Sequence, residues 1–243
     1  GKGWAYLSSG TWSLLGVESA KPWMTPACAE AELTNEVGFG HSIRLLKNIA
    51  GLWLVQECRR DFAKQGRDMD YGTLTRLASE AAPLVTLLDP FLSSWNAPGE
   101  MGRRIADYAK STGQLVPTSD GATVRACLES LALAYRETLE SIEKVTGEKI
   151  KTLHIVGGGS QNKLLNQMAA DATGRTVITG PIEGTAVGNL LIQAYGLGHL
   201  KSHQEIRAVV RDSFPIEVFQ PQSNPLWEEA WKRFQILRTP KGK

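Results

Sequence analysis

Residues 150–173, IKTLHIVGGGSQNKLLNQMAADAT, run from an apolar strand through three consecutive glycines directly into a helix. Bare backbone at Gly157, Gly158 and Gly159 allows close approach, and the helix that follows offers unpaired N–H groups at its positive dipole end. In open α/β sheets ligands gather at the carboxyl ends of strands, which is where this loop falls. The stretch therefore has the chemistry of a phosphate site. A tight connection with no ligand is the competing reading. The spacing fits neither GxGxxG nor a Walker A loop, so the two commonest nucleotide fingerprints lose support.

The rest of the chain narrows the partner. Its 27 basic and 25 acidic side chains nearly cancel and form no long basic run, so the footprint of a nucleic-acid binder is missing and a small molecule is expected. Cys28, Cys58 and Cys127 show no metal-ligand spacing and suit reduced thiols in the cytoplasm. No apolar run of about 18 residues marks a membrane span. The 243 residues, 42% of them apolar, suffice for a full core. The absence of an initiator Met and the immediate strand-like WAYLSS suggest a piece of a larger polypeptide.

Hydrophobic periodicity predicts an α/β alternation. WAYLSSGTWSLLGVE reads as two strands turning at Ser9-Gly10, and residues 31–37 as a third strand. Residues 44–63, RLLKNIAGLWLVQECRRDFA, space Leu45, Ile49, Leu52, Trp53, Val55, Cys58 and Phe62 as one amphipathic helix. A helix is expected at 72–82, and SSWNAPGEMG reads as loop. Ser119 and Asp120 open a long helix that stops at Gly147. After the glycine loop, RTVITG reads as a strand and EGTAVGNLLIQAYGLG as a helix whose small residues permit close packing. Residues 201–243 form a tail that ends in the Trp-bearing PLWEEAWKRFQIL, packed back on the body.

SSGTWSLLG, LKNIAGLWLVQECRR, TVRACLESLALAYRETL, VGGGSQNKLLNQMAADATG and EGTAVGNLLIQA occur in that order, and together they resemble carbohydrate kinases of the FGGY family over nearly the whole chain. The resemblance implies an actin-like ATPase domain of ribonuclease-H-like fold, with a mixed central sheet flanked by helices. It covers residues 1–243 as the carboxy-terminal, nucleotide-binding half, with the amino-terminal sugar-binding domain absent. Within the family GTWSLLG and the LKNIAGLWLVQECRR segment lie nearest the kinases of L-rhamnulose. That implies transfer of a phosphoryl group from ATP, with Mg²⁺, to the carbon-1 hydroxyl of this ketose.

By resemblance, Gly10 and Thr11 face the ATP phosphates, glycine through its N–H and threonine through its hydroxyl. Gln56, Gly158 and Asn162 match nucleotide contacts, and Asn48 matches a sugar contact. On one helix Asn48 and Gln56 would lie about 80° apart in azimuth and roughly 12 Å apart along the axis, so a single element would touch both substrates. Each has a plainer reading: a hairpin turn at Gly10, solvated amides at Asn48 and Gln56, a helix cap at Asn162. Trp12 and Trp53 read as core, and Arg125 with Glu129 as a helix-surface pair. None of His41, His154, His199 and His203 is a candidate base. The family's catalytic aspartate falls before the stretch matched here, so no catalytic residue and no metal ligand is expected in this chain. Kinases of xylulose, fuculose or glycerol, or an actin-like ATP-binding interaction module, are the competing functions.

Overall fold

The computed structural model describes residues 3–238. Seven strands form one mixed sheet in the order β3-β4-β2-β1-β5-β6-β7. The opening hairpin, β1 (Trp4–Ser9) and β2 (Ser13–Ser19), turns at residues 10–12, as its alternation and Gly10 predict. A short helix, α1 (Pro26–Glu30), leads to β3 (Thr34–Val37), which begins later than the residue-31 start expected from the sequence.

The segment expected to be a single helix over 44–63 is two elements, β4 (Ile43–Ile49) and α2 (Trp53–Lys64). A strand buried on both faces reads as a continuous apolar run, and Leu45, Leu46 and Lys47 are all buried. Antiparallel pairing with β2 and β3 decides the outcome. Gly51 supplies the break between the two elements, at φ +55° with backbone of Thr11 and Trp12 where a Cβ would stand.

Helix α3 (Tyr71–Glu80) follows, started by the Asp70 carboxylate accepting from Thr73 N–H at 2.7 Å. Next comes α4 (Met101–Ser111), which the loop-like sequence before it conceals. Its start is held from a distance: Asp61 of α2 accepts from the N–H groups of Glu100 and Gly102 at 3.1 and 3.3 Å. No local capping residue announces it.

The long helix α5 (Asp120–Thr146) keeps its expected ends, with the Ser119 hydroxyl accepting from Ala122 N–H and Gly147 left-handed beyond the last turn. It lies under the sheet face formed by Ala5, Leu7, Leu15, Leu45, Leu153 and Ile155, in one buried cluster with Leu128, Leu131 and Tyr135. The phenol of Tyr135 meets the Ser13 hydroxyl at 2.9 Å, and burial pushes its pKa up to about 12. Then come β5 (Thr152–Val156), α6 (Lys163–Thr173) and β6 (Thr176–Thr179), a parallel crossover unit. The chain closes with α7 (Gly184–Gly196), α8 (His203–Ser213), β7 (Val218–Phe219) and α9 (Pro225–Arg238). Trp227, Ala230, Trp231 and Phe234 bury α9 against the body, while residues 239–243 of the expected tail lie outside the described residues.

Two sequence readings change in the fold. Glu129 is 1% exposed, so its pair with Arg125 is an interior link between α5, α3 and the following loop, and not a surface pair. Trp12 is 46% exposed at the hairpin tip, whereas Trp53 is half-buried with its indole N–H on the Trp95 carbonyl at 2.9 Å. A hairpin tip has only one side to pack against, so its alternating apolar pattern does not ensure burial. All three cysteines are buried and unbridged, and among the described residues no helix is long and apolar enough to cross a membrane.

Glu143 fastens the end of α5 to the β5–β6 side of the sheet. It accepts from Ile150 N–H at 2.9 Å, Arg175 at 2.8 Å and Lys149 at 3.0 Å. Burial opposes its charge, but these three donors outweigh burial and hold its pKa below the ordinary 4.5. A depressed carboxylate contributes stability that is present above 4.5 and lost as pH falls through the folded value. Glu143→Gln is therefore expected to lower stability by about 1.5–3 kcal/mol at pH 7. It should also flatten the acid limb of stability against pH, read from urea midpoints; an unchanged limb would remove Glu143 as its source.

Candidate functional site

Chain direction brings the two glycine-bearing turns to one end of the sheet. β1 and β5 are parallel neighbours, with Ser8 beside Val156, so the Gly10 turn and the Gly157–Gly159 loop leave the sheet together. Their contact is tight. A Cβ on Gly159 would stand 2.0 Å from Ser9 Oγ and 2.7 Å from Ser9 Cβ, so only glycine permits this approach. Gly158, by contrast, faces open space, with nothing within 4 Å of where its Cβ would be.

The strand does not pass directly into the helix, as the sequence suggests; a single 3-10 turn, Gly158–Gln161, intervenes. Its first internal bond runs from Ser160 N–H to Gly157 O at 3.0 Å. The Gly158 and Gly159 N–H groups precede that bond, as the first donors of a helical turn do, and of the two residues Gly158 is the exposed one. Asn162 caps α6, its Oδ1 accepting from Leu165 N–H at 3.0 Å, so the plainer reading of this residue holds for its oxygen. The amide nitrogen remains as the group able to donate outward.

The hairpin tip docks on the start of α2. Leu52 N–H donates to Gly10 O at 3.0 Å and Trp53 N–H to Thr11 O at 2.9 Å, satisfying donors that a helix start otherwise leaves unpaired. This seats Gln56 beside the tip, where its Oε1 accepts from the Thr11 hydroxyl at 3.2 Å. The Gly10 N–H donates to Trp12 O at 2.9 Å, so it is used inside the turn and not held out for a phosphate, as the sequence reading had it.

A cavity of about 640 Å³ opens between these parts. Gly10, Leu52, Val55 and Gln56 line one side, Gly158, Gly159, Gln161, Asn162 and Lys163 another, and Tyr71, Gly72 and Thr75 of α3 the third. Four of the six residues singled out from sequence, Gly10, Gln56, Gly158 and Asn162, thus share one wall system, with Thr11 bonded at its rim. Tyr71, Thr75 and Lys163 were not legible as members. Their neighbours, Asp70 as a cap and Asn162 as a cap, were the only local signals.

Asn48 lies elsewhere. In the register, Asn48 pairs with Leu14, Leu14 with Ser8 and Ser8 with Val156, so these four share the sheet face opposite α5. Gly184 at the start of α7 packs on Val156 from that side, a Cβ there meeting Val156 Cβ at 3.2 Å. Asn48 is exposed at the same sheet end as the cavity but across the sheet from α2. The expectation that one helix carries both Asn48 and Gln56 therefore fails; a strand and a helix present them on opposite faces.

Among the described residues lining the cavity, Lys163 is the one charged side chain, paired with Glu217 at 2.7 Å. No carboxylate is among them, so this wall offers a Mg²⁺ ion no anionic ligand and suits a polyanion met by backbone N–H groups. The carboxy-terminal domain of the FGGY family of carbohydrate kinases matches residues 5–197. The chain belongs to the FGGY family.

As an FGGY domain it has sequence relatives over almost its full length. It is 41% identical over 234 residues to a rhamnulokinase of Bacteroides thetaiotaomicron, covering 96% of this chain and 47% of that protein. It is 40% identical over 237 residues to one from Pectobacterium atrosepticum, covering 97% and 47%. The chain spans about half the length of the curated relatives it matches. Among solved structures, a ligand-bound xylulose kinase from Lactobacillus acidophilus superposes with TM-score 0.70 at 16% identity, over 96% of this chain and 46% of that one. Plasmodium falciparum glycerol kinase with ADP gives 0.68 at 17%, over 98% and 47%. These likenesses give the FGGY chain the actin-like, ribonuclease-H-like fold expected from its sequence.

Proposed function

We propose that this chain is the nucleotide-binding half of an ATP-dependent sugar kinase whose complete form phosphorylates the carbon-1 hydroxyl of L-rhamnulose. The observation that carries the reading is the convergence of the Gly10 turn and the Gly157–Gly159 loop on one cavity. The sugar is inferred from the rhamnulokinases that share about 40% of its residues.

In the reaction the carbon-1 oxygen forms a bond to the γ-phosphorus as the bond to the β,γ-bridging oxygen breaks, and the hydroxyl proton passes to a base. No residue of this chain is assigned as that base. What the chain supplies is position: Gly158 and Gly159 N–H groups toward the phosphates, Gln56 and Thr11 at the turn, and Asn48 toward the sugar from the other sheet face. Mg²⁺ would supply charge neutralisation on the phosphates.

The amino-terminal half of such a kinase needs a surface on which to close. Helix α7 offers one, with Leu190 67% exposed on a helix that buries only Leu191, and Leu197 75% exposed just past its end. Closure there would exclude water, so that ATP is not hydrolysed.

In the complete two-half enzyme, Asn48→Ala is expected to raise the L-rhamnulose KM about 10- to 100-fold, the loss of one or two hydrogen bonds, with ATP affinity retained. Equal loss of both would leave a general ATP-binding module open. A panel with xylulose, fuculose and glycerol tests the sugar, and measurable turnover by the 243-residue chain alone would overturn the division of labour.

A further inference from the structure

We propose that the ring of Tyr71 is the wall on which the base of the bound nucleotide stacks, so that the site selects a base by its flat face more than by its hydrogen-bonding edge. The inference rests on the nucleotide reading above and assigns a further residue to it.

The cavity has two chemically different parts. Where Gly10, Gly158 and Gly159 meet, its wall is backbone, which suits phosphate oxygens. Leu52, Val55 and Tyr71 make another part apolar, which suits a group that must leave water without many hydrogen bonds. Tyr71 is the aromatic residue of that part, and it is 49% exposed.

Its placement is fixed from several directions. Tyr71 opens α3, whose first turn is tied by the Asp70 cap, and the Thr75 hydroxyl donates to Tyr71 O at 2.8 Å. The Arg59 guanidinium lies 5.0 Å from the ring centroid, held by Met69 O at 2.6 Å and by Asp68 at 3.6 Å. A cation over one face of an aromatic ring restrains the ring and leaves the opposite face for stacking. Two groups near the ring that could read a base edge are already engaged, the Thr75 hydroxyl donating to the backbone and Gln56 Oε1 accepting from Thr11. Stacking tolerates different bases, since each has a π face.

The test is calorimetric titration of the 243-residue chain with ATP, GTP, UTP and inorganic triphosphate, for the parent and for Tyr71→Phe, Tyr71→Leu and Tyr71→Ala. Tyr71→Phe should bind as the parent does. Tyr71→Leu and Tyr71→Ala should each bind ATP and GTP about tenfold more weakly, UTP less affected, and inorganic triphosphate unchanged. ATP affinity unchanged in both Leu and Ala variants, or triphosphate lost in the same proportion as ATP, would overturn the stacking role. Parent binding of triphosphate with no gain for ATP would do the same. Parent binding of neither ligand would overturn the nucleotide reading itself, and this inference with it.

Discussion

Arg125→Ala is expected to destabilise the fold by about 3–5 kcal/mol at neutral pH, the range for leaving one member of a buried ion pair behind. Arg125 Nε donates to Glu129 at 2.7 Å, and Nη1 reaches the carbonyls of Ala78, Ser79 and Ala81 at 3.0, 3.1 and 2.9 Å, closing the end of α3. Glu129 also accepts from Leu84 N–H at 2.8 Å. Remove the guanidinium and a buried carboxylate keeps one donor.

The pH dependence has a definite sign. Burial raises the Glu129 pKa above its ordinary 4.5 and outweighs the lowering by Arg125 and Leu84 N–H. A raised carboxylate favours folding most fully below its unfolded value, and that contribution is lost as pH rises through the folded value. Loss of Arg125 moves the folded value higher still, so the penalty should be greatest at pH 7 and shrink toward pH 4. Urea denaturation at the two pH values reads this directly. Adding Glu129→Gln should recover part of the loss at pH 7; no recovery would mean that the α3 carbonyls, and not the carboxylate, carry the effect.

The second large effect separates two adjacent glycines. Gly159→Ala places a methyl group 2.0 Å from Ser9 Oγ, and Ser9 is buried, so the turn and the loop must move apart. About 1–3 kcal/mol of stability should be lost, together with nucleotide affinity. Gly158→Ala points its methyl into open space and has no left-handed backbone to strain, so stability should stay within about 0.5 kcal/mol. Its methyl would nevertheless occupy the approach of the phosphates, and ATP affinity is expected to fall about tenfold or more. Thermal melts paired with ATP titration measure both. Unchanged affinity in a stable Gly158→Ala chain would argue against phosphates resting on this loop.

These glycines also show how far the primary structure reaches. Gly157 to Gly159 were conspicuous as a loop, but which of them touches Ser9 and which faces the cavity depends on β1 lying beside β5, residues about 150 apart in sequence. Asn162 was legible as a cap because its partner, Leu165, is three residues away. Tyr71 was invisible as part of the site because α3 reaches the cavity only by packing on α5.

The amino-acid order alone determined the features whose partners are close in the chain: the opening hairpin, the long helix between the Ser119 cap and Gly147, the glycine loop before α6. Tertiary structure decided what depends on distant partners. Pairing with β2 and β3 made residues 43–49 a strand, so Asn48 stands across the sheet from Gln56. A carboxylate on α2 started α4, and packing against α3 buried Glu129. Hydrogen bonds within a turn or cap are satisfied before the chain has folded around them, whereas strand pairing and burial exist only after distant segments meet.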